Sequence, residues 1–222
     1  MAELDAEFVA DAQKIAAAEL ERRGIDSSTK PSAQRVDALT RLLSVEHRLI
    51  PPRRRETVWS DALQLRTSHP QLGAVHRIAA ESESGLDVSH YLGRGVRKAE
   101  PDGQLNDWGI AHLHLGARQP GQMLSRGTKD LLFVVATVDR LHLVDLGDHS
   151  SFVDHELFEV LHRNWPELVA DSRARNVVPG SSSLSPERQV IFRRAGFVTL
   201  TQTQDGTIYT LNRPGFSGDS VS

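Results

Sequence analysis

Two histidines stand two residues apart, His112 and His114, in the string DWGIAHLHLG. In an extended strand alternate side chains point the same way, with Cα atoms roughly 6–7 Å apart, so this H-x-H pair presents two imidazoles to one ligand. Such a pair can share a divalent ion, or it can divide a proton transfer, one ring acting as base while the other acts as acid. The same residues also suit the polar side of a half-buried strand with no chemistry attached, because histidine sits readily at intermediate burial. Asp107, just upstream, adds weight to the functional side.

A second polar group follows in VDLGDHSSFVDHE, where Asp145, Asp148 and His149 gather at the end of an apolar run. Strand ends and the loops after them are where scaffolds present functional groups. His155, Glu159 and His162 come next, and on a helix they fall within about 60° of one another, opposite Leu157, Val160 and Leu161. Either a solvated face or a working one fits that pattern. The spacing is not H-E-x-x-H, so a zinc-protease reading has no support. The candidate catalytic residues are therefore His112, His114, His149 and His155. If a divalent metal takes part, its candidate ligands are His112, His114 and Asp145.

The elements that must position these side chains are read from hydrophobic period. Phe8, Ala12, Ile15, Ala16 and Leu20 recur at helical spacing before Gly24, and a second helix is expected from Ser32 through Val36, Leu39, Leu42 and Leu43, ending before Pro51. Weaker helical spacing continues at Val58, Ala62 and Leu65 and again at Leu72, Val75, Ile78 and Ala79. The period then switches to two at Trp108, Ile110, His112 and His114, which predicts a strand. Leu131–Val138 and Leu141–Leu146 predict a hairpin, and Ser151 with Asp154 predicts the start of a helix. Ser185-Pro186 opens a further helix, and strands from Phe197 and Thr207 flank the turn signal Asp205-Gly206. The fold class expected is α+β, a helical N-terminal part followed by a small, mainly antiparallel sheet with packed helices. The corresponding domains are a helical region 1–82, a loop or linker 83–105, and an α+β core 106–222.

Composition bounds the chemistry. The chain has 222 residues, 39% of them hydrophobic, enough to bury a core. Its 26 Lys+Arg against 29 Asp+Glu leave a net charge of −3, so no global basic field gathers a polyanion and nucleic-acid binding needs a local patch. Arg53, Arg54 and Arg55 form the densest basic run. No apolar run is long enough to span a bilayer and the N-terminus is acidic, so the expectation is a cytoplasmic protein without a membrane partner. With no cysteine there are no thiolate ligands or nucleophiles, and any metal must be held by His, Asp or Glu. Phosphate-binding loops of the G-x-x-x-x-G-K-[ST] and G-x-G-x-x-G kinds and the G-x-S-x-G elbow are not found.

The strings NDWGIAHLHLG, LLFVV, LVDLGDHSSF and LHRNWPEL, spanning Asn106 to Leu168, resemble a family of prokaryotic proteins with no established activity. The hairpin LLFVVATVDRLHLVDLGDH more weakly resembles the RelE-type mRNA-cleaving toxins, a likeness that implies catalytic residues beside an apolar hairpin and RNA as substrate. Arg41 and His47 form an R-x5-H pair that resembles the motif of helical HEPN ribonucleases. The expected function is a phosphodiester-cleaving enzyme, an endoribonuclease of toxin or defence type using paired histidines, with or without a divalent metal. The contrasting class is a non-enzymatic module that binds a protein partner, such as an immunity or antitoxin-like protein, with its His-bearing helix as the interface.

Overall fold

A computed structural model describes residues 2–23, 25, 37–98, 105, 108–119, 122, 124–153, 155–174 and 200–210. The chain is α+β and divides into two compact units, one of Met1–Leu49 with Arg94–Pro101 and one of Ile50–Gly93 with Asp102–Ser222. Every residue of the candidate site belongs to the second.

In the first unit, α1 (Ala2–Arg22) packs on α2 (Ala38–Arg48). Leu20, Ile25 and Val45 form its buried cluster, and Ile25 N–H closes α1 by donating to Leu20 O at 2.9 Å. The cap of α2 is Asp37, whose side chain accepts from Thr40 N–H, rather than a residue further upstream. Ser32 and Gly24 lie outside the described residues, and a short helix, α5 (Gly95–Lys98), completes the unit.

The second unit is built on a four-stranded sheet of order β1-β4-β3-β2, comprising β1 (Glu56–Trp59), β2 (Ala111–His114), β3 (Leu131–Ala136) and β4 (Arg140–Gly147). The pair β3–β4 is antiparallel, as the hairpin signal predicts, with a bulge where Val144 is the extra residue between the Phe133–Asp145 and Val134–Leu143 pairs, and β2–β3 is antiparallel as well. β1 is a difference from the sequence reading, which took Val58 into a helix: it is a four-residue strand running parallel to β4. This strand carries residues 56–59 into the sheet unit, which takes in Ile50–Gly93. Arg55 is drawn in with it, donating from Nε to Thr137 O and from Nη1 to Pro51 O, both at 2.8 Å.

Both sides of the sheet are covered. On one, Leu131, Phe133 and Val135 join Ile110 and Trp108 against Leu157, Phe158 and Leu161 of α6 (His155–Asn164). Leu113, Leu132, Val134, Leu141 and Leu143, of opposite parity, are fully buried as well, and α3 (Asp61–Gln64) and α4 (Leu72–Glu83) pack along β4 and β1. Trp108 does not extend the strand; it precedes β2 and lies against Phe158 with ring centroids 3.8 Å apart. A final hairpin, β5 (Leu200–Gln202) and β6 (Ile208–Thr210), turns at Asp205-Gly206 as expected. Asp107, Asp154 and the helix expected from Ser185 lie outside the described residues. No helix among the described residues is long and apolar enough to cross a membrane.

Candidate active site

β2 is an edge strand, and its register places His112 opposite Phe133 and His114 opposite Leu131. Directly opposed residues share a face, so both imidazoles stand on the α6 side of the sheet, at the rim of the core. Each is half-buried. The row continues from His114 through Leu131 to Gly147, the last residue of β4. There the chain folds back over the sheet: Asp148 Oδ1 accepts from Ser150 N–H at 2.8 Å, and a 3₁₀ turn runs from His149 to Val153. A side chain on Gly147 would put Cβ 2.6 Å from Ser151 Oγ and 3.1 Å from a ring carbon of Phe133, so the fold-back needs glycine at that point.

The turn delivers His149 to the pair. Ring centroids are 6.2 Å apart for His112 and His114, 6.5 Å for His112 and His149, and 5.9 Å for His114 and His149. Three imidazoles from one strand and a turn therefore converge on one space at the sheet edge. Its far wall is Gly93: a Cβ there would lie 3.3 Å from His114 Nε2 and 3.4 Å from His112 Nε2. The chain leading into Gly93 is anchored by two contacts. Leu92 bridges to Leu113, and the Tyr91 hydroxyl is held by Arg77 Nε at 3.1 Å and Glu81 Oε1 at 2.9 Å. Gly93 carries no signal in the sequence beyond its place in a glycine- and serine-rich stretch.

His114 has a defined hydrogen-bond state. Thr128 N–H points at its Nδ1 from 3.0 Å. The Thr128 carbonyl lies 3.2 Å from the same nitrogen, but with the amide hydrogen directed at it Nδ1 acts as acceptor, and the proton of the neutral ring sits on Nε2, facing the cluster. Burial holds this imidazole below its ordinary range, and His112 and then more weakly His149 push the same way, against the pull of the Thr128 carbonyl. At neutral pH His114 is thus an uncharged donor.

Asp145 does not join the histidines. Its carboxylate is gripped by Arg66, Nε to Oδ1 at 3.1 Å and Nη2 to Oδ2 at 2.9 Å, and also accepts from Leu146 N–H at 2.8 Å. The metal set of His112, His114 and Asp145 is accordingly not assembled, because a forked guanidinium has taken the carboxylate; no three His, Asp or Glu groups among the described residues are placed to hold an ion. His155 is half-buried at the first position of α6.

The His-bearing face of α6 is half-buried and partly covered. His162 Nε2 pairs with Asp205 at 3.0 Å, the Tyr209 hydroxyl lies 2.8 Å from His162 Nδ1, and Glu159 accepts from Gln204 N–H at 2.8 Å. The β5–β6 hairpin is thus docked on part of this face. Arg41 and His47 lie in the other unit on α2, about 120° apart around the helix axis.

Compared with known protein families, curated proteins and solved structures, the chain gives no significant match. The site has to be read from its own chemistry.

Proposed function

We propose that the His112–His114–His149 cluster is an acid–base centre that cleaves phosphodiester bonds in RNA, making the protein an endoribonuclease. The observation that carries this reading is the convergence of three imidazoles on one partly open space, with His114 fixed as a neutral Nε2–H donor. Imidazoles titrate near neutrality and so serve both halves of a proton transfer. RNA supplies its own nucleophile, the 2′-hydroxyl, so such a centre needs no protein nucleophile, and this chain has no cysteine to offer.

The step balances as follows. One of His112 and His149 takes the proton of the 2′-hydroxyl as its oxygen attacks phosphorus. The other gives a proton to the departing 5′-oxygen. The Nε2–H of His114 donates to a non-bridging oxygen, where negative charge grows. The products are a 2′,3′-cyclic phosphate and a 5′-hydroxyl. Metal is not required in this version, in keeping with Asp145 being committed to Arg66. We assign His155 no proton-transfer step, and we place the activity in the cytoplasm, where RNA is available.

The test is incubation of the purified full chain with mixed RNA and with DNA of matching sequence, in the presence of a chelator. RNA should be cut and DNA left intact, and His112→Ala and His149→Ala should each lower the rate by at least about 100-fold. RNA left whole under all conditions, with or without added zinc or manganese, would overturn the reading.

A further inference from the structure

We propose that the segment joining β2 to β3 is the phosphate-docking rim of the imidazole cluster, with Arg126 and Lys129 holding the backbone of single-stranded RNA. This rests on the ribonuclease reading and names how that site engages its substrate.

A chain of net charge −3 cannot draw in a polyanion by its overall field, so the cations must be local and close to the chemistry. The densest basic run does not serve: Arg55 is buried and spent on backbone carbonyls. The segment from Gly116 to Asp130 carries three basic residues, Arg118, Arg126 and Lys129, against one acid, Asp130. It is also fixed to the site. Ser125 N–H donates to His90 O at 2.7 Å, Leu115 N–H donates to Thr128 Oγ1 at 2.9 Å, and Thr128 N–H holds the His114 ring.

Arg126 and Lys129 flank the two residues that touch His114. A Cβ on Gly127 would stand 3.9 Å from His114 Cε1, and Thr128 is bonded to Nδ1. Both cations are exposed. Lys129 also lies near the turn that carries His149: the carboxylate of its neighbour Asp148, held low chiefly by its hydrogen bonds from Ser150, feels the positive charge of Lys129 as well. One strand of phosphates laid along this rim would pass the reacting space between Gly127 and Gly93, each without a side chain.

The test measures binding separately from cleavage. Affinity of the full chain for a fluorescein-labelled single-stranded RNA is followed by anisotropy across salt concentrations, in the His112→Ala background so that the RNA stays intact. Adding Arg126→Gln and Lys129→Gln should weaken binding at least about tenfold at low salt. The same pair should reduce the slope of log affinity against log salt by about 1.4, two phosphate contacts at about 0.7 each for a single strand. Arg53→Gln with Arg54→Gln, exposed cations elsewhere, should leave affinity within about twofold. Unfolding curves of all variants should coincide with the parent. An unchanged slope in the Arg126/Lys129 pair overturns the proposal, as does a parent that ignores RNA but binds anionic phospholipid vesicles, or one that binds neither. If the slope falls as expected yet the wild-type chain cuts no RNA, the docking rim stands and the catalytic reading fails. If RNA is cut and the pair binds it normally, the rim alone fails.

Discussion

The amide of Thr128 points at Nδ1 of His114 from 3.0 Å, and this contact decides what that half-buried imidazole can do. A ring whose Nδ1 accepts keeps its proton on Nε2, and protonating Nδ1 would set two hydrogens against each other. His114 should therefore show the Nε2–H tautomer in long-range ¹H–¹⁵N correlation spectra and titrate below the usual histidine range, in the direction set by its burial. An Nδ1–H tautomer, or a midpoint above the ordinary value, would contradict the geometry.

Gly93 supplies the second test of the cluster's shape. With a Cβ at 3.3 and 3.4 Å from two imidazole nitrogens, Gly93→Ala should fold with a loss of only about 1 kcal/mol, because the rings can yield by a few tenths of an ångström. Its RNA-cleaving rate should nevertheless fall by about tenfold or more, since the methyl group occupies the reacting space. Full activity in the alanine variant would show that the substrate does not enter there.

The packing beneath the site is tested at Leu157, which is buried between α6 and the sheet in the cluster that also holds Phe133 and Leu161. Leu157→Ala should lower unfolding free energy by roughly 2–5 kcal/mol in urea titration. A loss under about 1 kcal/mol would mean that α6 does not cover this face.

His142 gives the protein an acid limit. It is buried on β4 against Trp165, ring centroids 4.8 Å apart, and its Nδ1 has no hydrogen-bond partner. Burial foremost, then the charge of Arg140, pushes its pKa below the ordinary 6.5, with nearby carboxylates opposing. Between that depressed value and 6.5 the unfolded chain binds more protons than the folded one, so stability is full above about pH 6.5 and is lost as pH falls toward the folded-state value. His114 acts in the same sense. Denaturation midpoints should decline below about pH 6.5, and His142→Phe should flatten that decline. A decline of equal steepness in the variant would place its origin elsewhere.

Much of the site was legible in the sequence because it depends on local period. The alternation through Ile110, His112 and His114 puts both rings on one face, and the apolar runs around Asp139 define the hairpin that backs them. What was not legible depends on contacts between distant segments. Asp145 reads as a free carboxylate until Arg66, 79 residues away, is seen to hold it. His162 reads as part of an open face until Asp205 and Tyr209, 43 and 47 residues on, dock against it. β1 is only four residues long, too short to show a period of two, and its Val58 falls four before Ala62, which mimics a helix. The role of Gly93 is set by what approaches it, and a glycine in a glycine-rich stretch gives no hint of that.

The most direct measurement of the central claim is the chemistry of the cut ends. A defined single-stranded RNA, incubated with the full chain in the presence of a chelator, should yield fragments ending in a 2′,3′-cyclic phosphate and beginning with a 5′-hydroxyl, resolved by mass spectrometry. His112→Ala should form them at least about 100-fold more slowly at an unchanged melting temperature. Intact RNA, or fragments carrying 5′-phosphates that appear only when a divalent metal is added, would contradict an acid–base centre of His112, His114 and His149.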